Sequence, residues 1–207
     1  SHAEYWRNLP RLLHCDGNFR RYLVSRAFTG FSRMASVGLA AVYAVERWHL
    51  PDQQAGVFTT IFLVAQTLLN LGFGYLGDHK AHKLPLELGL VAWTVAMATA
   101  LWAPTPLLFS LLFFVGAGAA SAAELVSGMM ILLEFAPPDD RPTYIGLANT
   151  IPGVAGAIAP LIGGCLAGAM SYRAMFVLAA VIGVISWLLL RFAVHEPRKL
   201  NVTVPEV

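Results

Sequence analysis

The sequence predicts an all-α membrane protein, a bundle of six transmembrane helices. Three observations carry this. The 207 residues are 57% hydrophobic and only 13% charged, with a mean hydropathy of +0.63; a water-soluble fold of this size would have too few polar residues to cover its surface. Six apolar runs follow one another, each near the 20 residues that a helix needs to cross ~30 Å of hydrocarbon. The basic residues gather in alternate connections, as they do when one side of a membrane is the positive side.

Residues 1–21 form a basic, interfacial lead-in, in which Tyr5, Trp6, Leu9, Leu12 and Leu13 give a weakly amphipathic pattern suited to the headgroup layer. The first span, about 22–48, carries Arg26 and Arg33, seven residues apart and so on one helical face. The second covers about 54–76, after the break His49-Leu50-Pro51-Asp52. The third, about 84–103, is the shortest. Pro104-Thr105-Pro106 separates it from the fourth, about 106–135. Residues 137–142 lead to the fifth, about 143–169, and Ser171-Tyr172-Arg173 to the sixth, about 174–193. Residues 194–207 read as an exposed tail. Helices satisfy their own backbone groups in lipid, and the period-two alternation of a membrane barrel is absent, so all six runs are read as helices.

Orientation follows from the lysines and arginines. Arg7, Arg11, Arg20, Arg21, Lys80, Lys83, Arg141, Arg191, Arg198 and Lys199 fall on one side, and Arg47 and Arg173 on the other. The positive-inside rule makes both termini cytoplasmic. Trp48 and Trp102 then lie near the outer boundary, where indole rings prefer to sit. The expected location is a bacterial inner membrane or a plasma membrane.

Charges inside the spans cost free energy and usually serve function. Arg33 on the first span and Glu124 on the fourth are the leading candidates for a solute cavity. Arg26 is near enough to the cytoplasmic end to reach the interface instead. At ~1.5 Å per residue Arg33 lies ~18 Å above Arg21, and Glu124 ~16 Å above Phe135. The matched depths favour pairing of the two when the site is empty; the alternative is two charges in separate water pockets that only shape the bundle. Arg33 would then receive an anionic or polar solute, and Glu124 is the candidate to carry a coupling proton. Gln66, Asn70, Asn149 and Tyr43 are weaker cavity candidates, each equally suited to an interhelical hydrogen bond. No phosphate loop or hydrolase nucleophile pattern is present, so no enzyme activity and no cofactor are expected. The histidines and the two cysteines, Cys15 and Cys165, lack metal-ligand spacing, so no metal is expected either. Nor is a nucleic-acid partner.

The connection between the second and third spans reads Gly74-Tyr75-Leu76-Gly77-Asp78-His79-Lys80-Ala81-His82-Lys83. It resembles the loop signature of the major facilitator superfamily, G-x-L-[GA]-D-[RK]-x-G-[RK]-[RK]. Gly74, Leu76, Gly77, Asp78 and Lys83 fit; His79 and His82 stand where the pattern has bases, and Ala81 where it has its second glycine. Glu134 and Arg141, six residues between them, resemble the E-x6-R element that joins the fourth and fifth helices of a facilitator half. Glu196-Pro197-Arg198-Lys199 resembles the signature that follows the sixth. The resemblance implies a cytoplasmic gate built from Gly74, Gly77, Asp78, Lys80, Lys83, Glu134, Arg141, Glu196 and Arg198. The fifth span carries Gly153, Gly156, Pro160, Gly163 and Gly164, similar to a degenerate facilitator G-P-x-x-G-G motif and read here as a surface for close helix packing.

The resemblance covers nearly the whole chain, and Asn18-Phe19-Arg20-Arg21 before the first span is similar to the link between facilitator halves. It implies a C-terminal half, helices seven to twelve, made of two inverted three-helix repeats and working by alternating access. The implied partners are a small-molecule solute, the lipid bilayer, and the other six-helix half or a second copy of this one. The alternative is a structural or regulatory six-helix membrane protein that self-associates without transport.

Overall fold

The computed structural model describes residues 16–51 and 53–197. Among them are six helices long and apolar enough to cross a membrane: α1 (Gly17–Trp48), α2 (Gln54–Lys80), α3 (Lys83–Trp102), α4 (Pro106–Phe135), α5 (Arg141–Ala169) and α6 (Tyr172–Leu188), the last extended by a π-helical turn at Leu189–Ala193.

Local chemistry sets most ends. The Asp16 side chain accepts a hydrogen bond from the Phe19 N–H at 2.8 Å and starts α1 at Gly17, five residues before the apolar run begins. Thr105 and Ser171 cap α4 and α6 in the same way. Pro142 sits in the first turn of α5, where its missing N–H costs nothing. The second helix runs on to Lys80, so Asp78 lies in its last turn and not in a loop beyond it. The chain breaks out of α2 at Ala81, whose φ of 142° and ψ of 150° belong to a region that glycine alone adopts freely.

Successive helices reverse direction, which brings both ends of the described chain to one basic end of the bundle. There Asn18 and the His195 backbone exchange two hydrogen bonds, at 2.8 and 2.7 Å, and Val194 is buried. The start of the expected tail is therefore docked on α1. Residues 1–15 of the lead-in, and Arg198 and Lys199 with the remainder of the tail, lie outside the described residues.

The main helix contacts are α3 with α4, α2 with α4, α1 with α5, α1 with α6, and α3 with α6. Exchanging α1 with α4, α2 with α5 and α3 with α6 maps this set onto itself. Because α1 starts at the basic end and α4 at the opposite one, the two triplets are inverted copies, as expected.

Lipid offers no hydrophobic drive between helices, so close backbone approach and hydrogen bonds hold the bundle. A Cβ on Gly116 would come within 2.7 Å of the Ala92 carbonyl oxygen, and one on Gly118 within 2.7 Å of that of Phe62. These glycines clamp α4 against α3 and α2. On the other side Gly163 lies against the Ala35 backbone and Gly30 against Pro152, which clamps α1 to α5. Hydroxyls join α1 to α6: Ser25 Oγ donates to the Ser186 carbonyl at 3.0 Å, and Ser32 Oγ to that of Ala179 at 2.7 Å. Trp93 of α3 is fully buried and donates its indole N–H to Ser32 at 2.8 Å.

The helices are unequally covered. α3 and α4 are the most buried, whereas α2 and α5 expose long apolar faces, with Leu71 76% and Leu161 70% exposed. Of the fifth-span residues read as packing, Gly156 and Gly163 meet α1, while a Cβ on Gly153 or Gly164 would meet nothing within 4 Å.

Candidate solute groove and charged end

Between α1, α4 and α5 lies a groove of about 300 Å³. Arg26, Thr29, Gly30, Arg33 and Met34 of α1 form one wall, Pro152, Gly153 and Gly156 of α5 another, and Glu124 of α4 closes it. Gly30 and Gly156 bring the two walls close, since a Cβ on either would come within 3.3 Å of Pro152 or Met34 across the crossing.

Two arginines and one carboxylate set its electrostatics. Arg26 Nη2 donates to Glu124 Oε1 in a half-buried ion pair, and the Arg26 guanidinium also lies over the Tyr22 ring. A Cβ on Gly128 would stand 3.1 Å from Glu124 Oε1, so a glycine one turn along α4 leaves the carboxylate its room. The expected Arg33–Glu124 pair does not form, and Arg26 takes that place. The cause is the early start of α1: counted from Gly17, Arg26 lies ~14 Å along the helix and Arg33 ~24 Å, while Glu124 lies ~16 Å from the end of α4. Arg33 is half-buried, and its Nε is buried without a hydrogen-bond partner. Beside the ion pair, Tyr22, Ser25 and Thr29 help enclose a cavity of about 20 Å³, room for one water.

The other cavity candidates are placed elsewhere. Gln66 donates to Ser121 Oγ at 2.8 Å and ties α2 to α4. Asn70 is half-buried on α2 with its Oδ1 unpartnered, and Asn149 is exposed on α5. Tyr43 sits at the far end of α1, donating to the Ala100 carbonyl at 3.1 Å among the rings of Trp48, Phe109, Tyr172 and Phe176. Arg47 joins that cluster by stacking on Trp48 and donating to the Ala103 carbonyl at 3.1 Å.

At the basic end, Gly74 approaches Val126 of α4, and Gly77 is roofed by the imidazole of His82. A Cβ on Gly77 would lie 2.5 Å from His82 Nδ1. That ring is buried and reaches Ser127 Oγ at 3.4 Å. Asp78 and Lys80 are exposed in the last turn of α2, and Glu134 and Arg141 flank the α4–α5 connection.

Sequence reading missed Glu87. It is 6% exposed in the second turn of α3, with Lys83 Nζ at 3.4 Å and Arg191 Nη1 at 3.1 Å. Lys83 also donates to the Arg191 carbonyl at 3.1 Å, and Arg21 to that of Ala193 at 3.3 Å. Carbonyls near the end of the sixth helix are thus met by basic side chains from α1 and α3. Lys80 and Glu196 complete the lining of a cavity of about 190 Å³ around this cluster. The legible signal for Glu87 is Lys83 four residues earlier on the same helix face.

Six membrane-crossing helices in inverted triplets, with a charged groove between the first and fourth, define an integral membrane protein of the transporter class. The chain belongs to the Major Facilitator Superfamily, whose family model matches residues 22–206. It is 28% identical over 180 residues to the "Hexuronate transporter" of Bacillus subtilis (strain 168), covering 84% of this chain and 41% of that protein. It is 26% identical over 148 residues to the "MFS thioclapurine efflux transporter tcpA" of Claviceps purpurea (strain 20.1), covering 70% and 27%. The chain therefore spans less than half the length of these curated relatives.

Proposed function

We propose that these six helices are the C-terminal half of a secondary active transporter that moves a small anionic solute by alternating access. The observation that carries the reading is Arg33, a guanidinium in a groove of about 300 Å³ whose buried Nε has no partner. A buried N–H of a charged group left without a partner is costly, and a solute carboxylate can supply bidentate hydrogen bonds to the guanidinium. With Arg26 already satisfied by Glu124, the groove keeps one net positive charge, which suits a single carboxylate. A relative named for hexuronate, itself a carboxylate sugar, supports this choice.

Arg26 and Glu124 hold α1 to α4, the two helices that flank the site. Protonation of Glu124 would release Arg26 and loosen that contact, which makes this pair the candidate for proton coupling. The basic end would serve as the cytoplasmic gate. Asp78 stands in the exposed last turn of its helix, and in this reading it would meet a helix N-terminus or a base of the opposite half. In this reading both termini are cytoplasmic.

Counterflow of a labelled monoanionic sugar acid into proteoliposomes of the full-length transporter tests the proposal. Charge-assisted hydrogen bonds are worth ~1.5–3 kcal/mol, so Arg33→Gln should reduce solute affinity about tenfold or more. Counterflow by Arg33→Gln at the wild-type rate and affinity would remove Arg33 from the solute site.

A further inference from the structure

The fifth helix carries two prolines in its interior, Pro152 and Pro160. A proline has no N–H, so each leaves the carbonyl four residues earlier without its bond in the helix. For Pro152 that residue is Ala148, which is fully buried and does not line the solute groove. For Pro160 it is Gly156, which does line the groove and has no side chain to cover its backbone. We propose that the Gly156 carbonyl accepts a hydrogen bond from a solute hydroxyl, so that the site selects hydroxylated carboxylic acids over plain ones. This rests on the reading of Arg33 as the carboxylate ligand.

Gly30 lies against Pro152 and Ala35 against Gly163, so α1 and α5 run in the same direction. Gly156 falls opposite Met34, whose Cγ would stand 3.3 Å from a Cβ there. The freed carbonyl is therefore at the Arg33 end of the groove, about one residue or ~1.5 Å from its level. In a membrane an unmatched carbonyl is costly unless another donor reaches it. The groove's own hydroxyl is engaged elsewhere: Thr29 Oγ1 donates to the Ser25 carbonyl at 3.0 Å and meets Ser186 Oγ at 2.7 Å. Nor does the architecture demand a proline here. The counterpart of α5 in the inverted repeat, α2, has none from Gln54 to Lys80.

The donor that fits is a neutral hydroxyl and not an ammonium, because Arg33 leaves the groove with a net positive charge. A sugar acid carries both matching groups, carboxylate oxygens for the guanidinium and O–H donors for the carbonyl.

Titration calorimetry of the full-length transporter with a sugar acid and its monodeoxy analogues, each lacking one hydroxyl, tests the acceptor. Wild type should bind at least one analogue about fivefold more weakly than the parent acid, equivalent to ~1 kcal/mol for one net hydrogen bond. Pro160→Ala restores the N–H that closes the bond to Gly156. It should weaken the parent acid about fivefold and leave one such analogue unchanged, which erases the discrimination at that hydroxyl. Pro160→Leu supplies the same N–H should the first variant not fold. Arg33→Gln should weaken all the acids alike and keep the discrimination, so a failure of the carboxylate reading shows separately. Equal binding of parent and analogues by wild type would overturn the proposal. So would discrimination that survives in the Pro160 variants, or a loss of affinity there that is the same for the parent and every analogue.

Discussion

At the scale of single residues, charge and backbone conformation decide most. Arg26 and Arg33 share one face of α1, yet one is paired and the other keeps a buried, unpartnered Nε. Spacing in the sequence made both visible but could not say which would hold Glu124, because that depends on where α1 begins. Asp16 sets that start through its side chain, and a polar, basic first turn hides it from any hydropathy reading. Ala81 is the reverse case, a position where the sequence departs from the family pattern and the backbone registers the departure. Its φ of 142° suits the glycine that the signature has there. Strain of this kind costs ~1–3 kcal/mol, and glycine gives back ~0.4–1 kcal/mol through greater freedom of the unfolded chain. Ala81→Gly is therefore expected to stabilise the protein by about 1 kcal/mol, read as a higher midpoint of thermal unfolding in detergent. An unchanged or lower midpoint would mean that the turn carries no such strain.

At the scale of helices, all six were legible because each is a long apolar run, and lipid permits few other structures. Their partners were not. The glycines of α5 looked alike in sequence, yet Gly163 lies against the Ala35 backbone while Gly164 meets nothing within 4 Å. Those of α4, Gly116 and Gly118, set two helix crossings and drew no notice, because small residues reveal their partner only once two backbones meet. Glu87 was hidden for a similar reason: it pairs with Arg191, 104 residues away, as well as with Lys83. The α5 pair gives a direct contrast. Gly163→Leu should separate α1 from α5 and cost ~1–3 kcal/mol or more, as overpacked core substitutions do. Gly164→Leu should leave the folding of the six-helix unit within ~0.5 kcal/mol of wild type. Comparable losses of thermal stability in the two variants would contradict the α1–α5 packing described here.

At the scale of the whole molecule, the inverted triplets place both described chain ends on one face and leave α2 and α5 with uncovered apolar surface. In the proposed transporter, a second six-helix half covers part of that surface and closes the solute groove from the other side. The topology has its own check: a maleimide that does not cross the membrane should label Leu50→Cys in intact cells and leave Pro197→Cys unlabelled. Labelling of both from one side would break the six-span topology. The anion reading belongs to the same scale, because the neighbouring half also shapes the site. Titration calorimetry on the full-length transporter, comparing a monoanionic sugar acid with the neutral sugar of the same size, tests it most directly. Wild type should favour the acid by about tenfold or more, the worth of ~1.4 kcal/mol, and Arg33→Gln should erase that preference. A preference for the acid that survives in Arg33→Gln, or equal binding of the two sugars by wild type, would contradict the assignment.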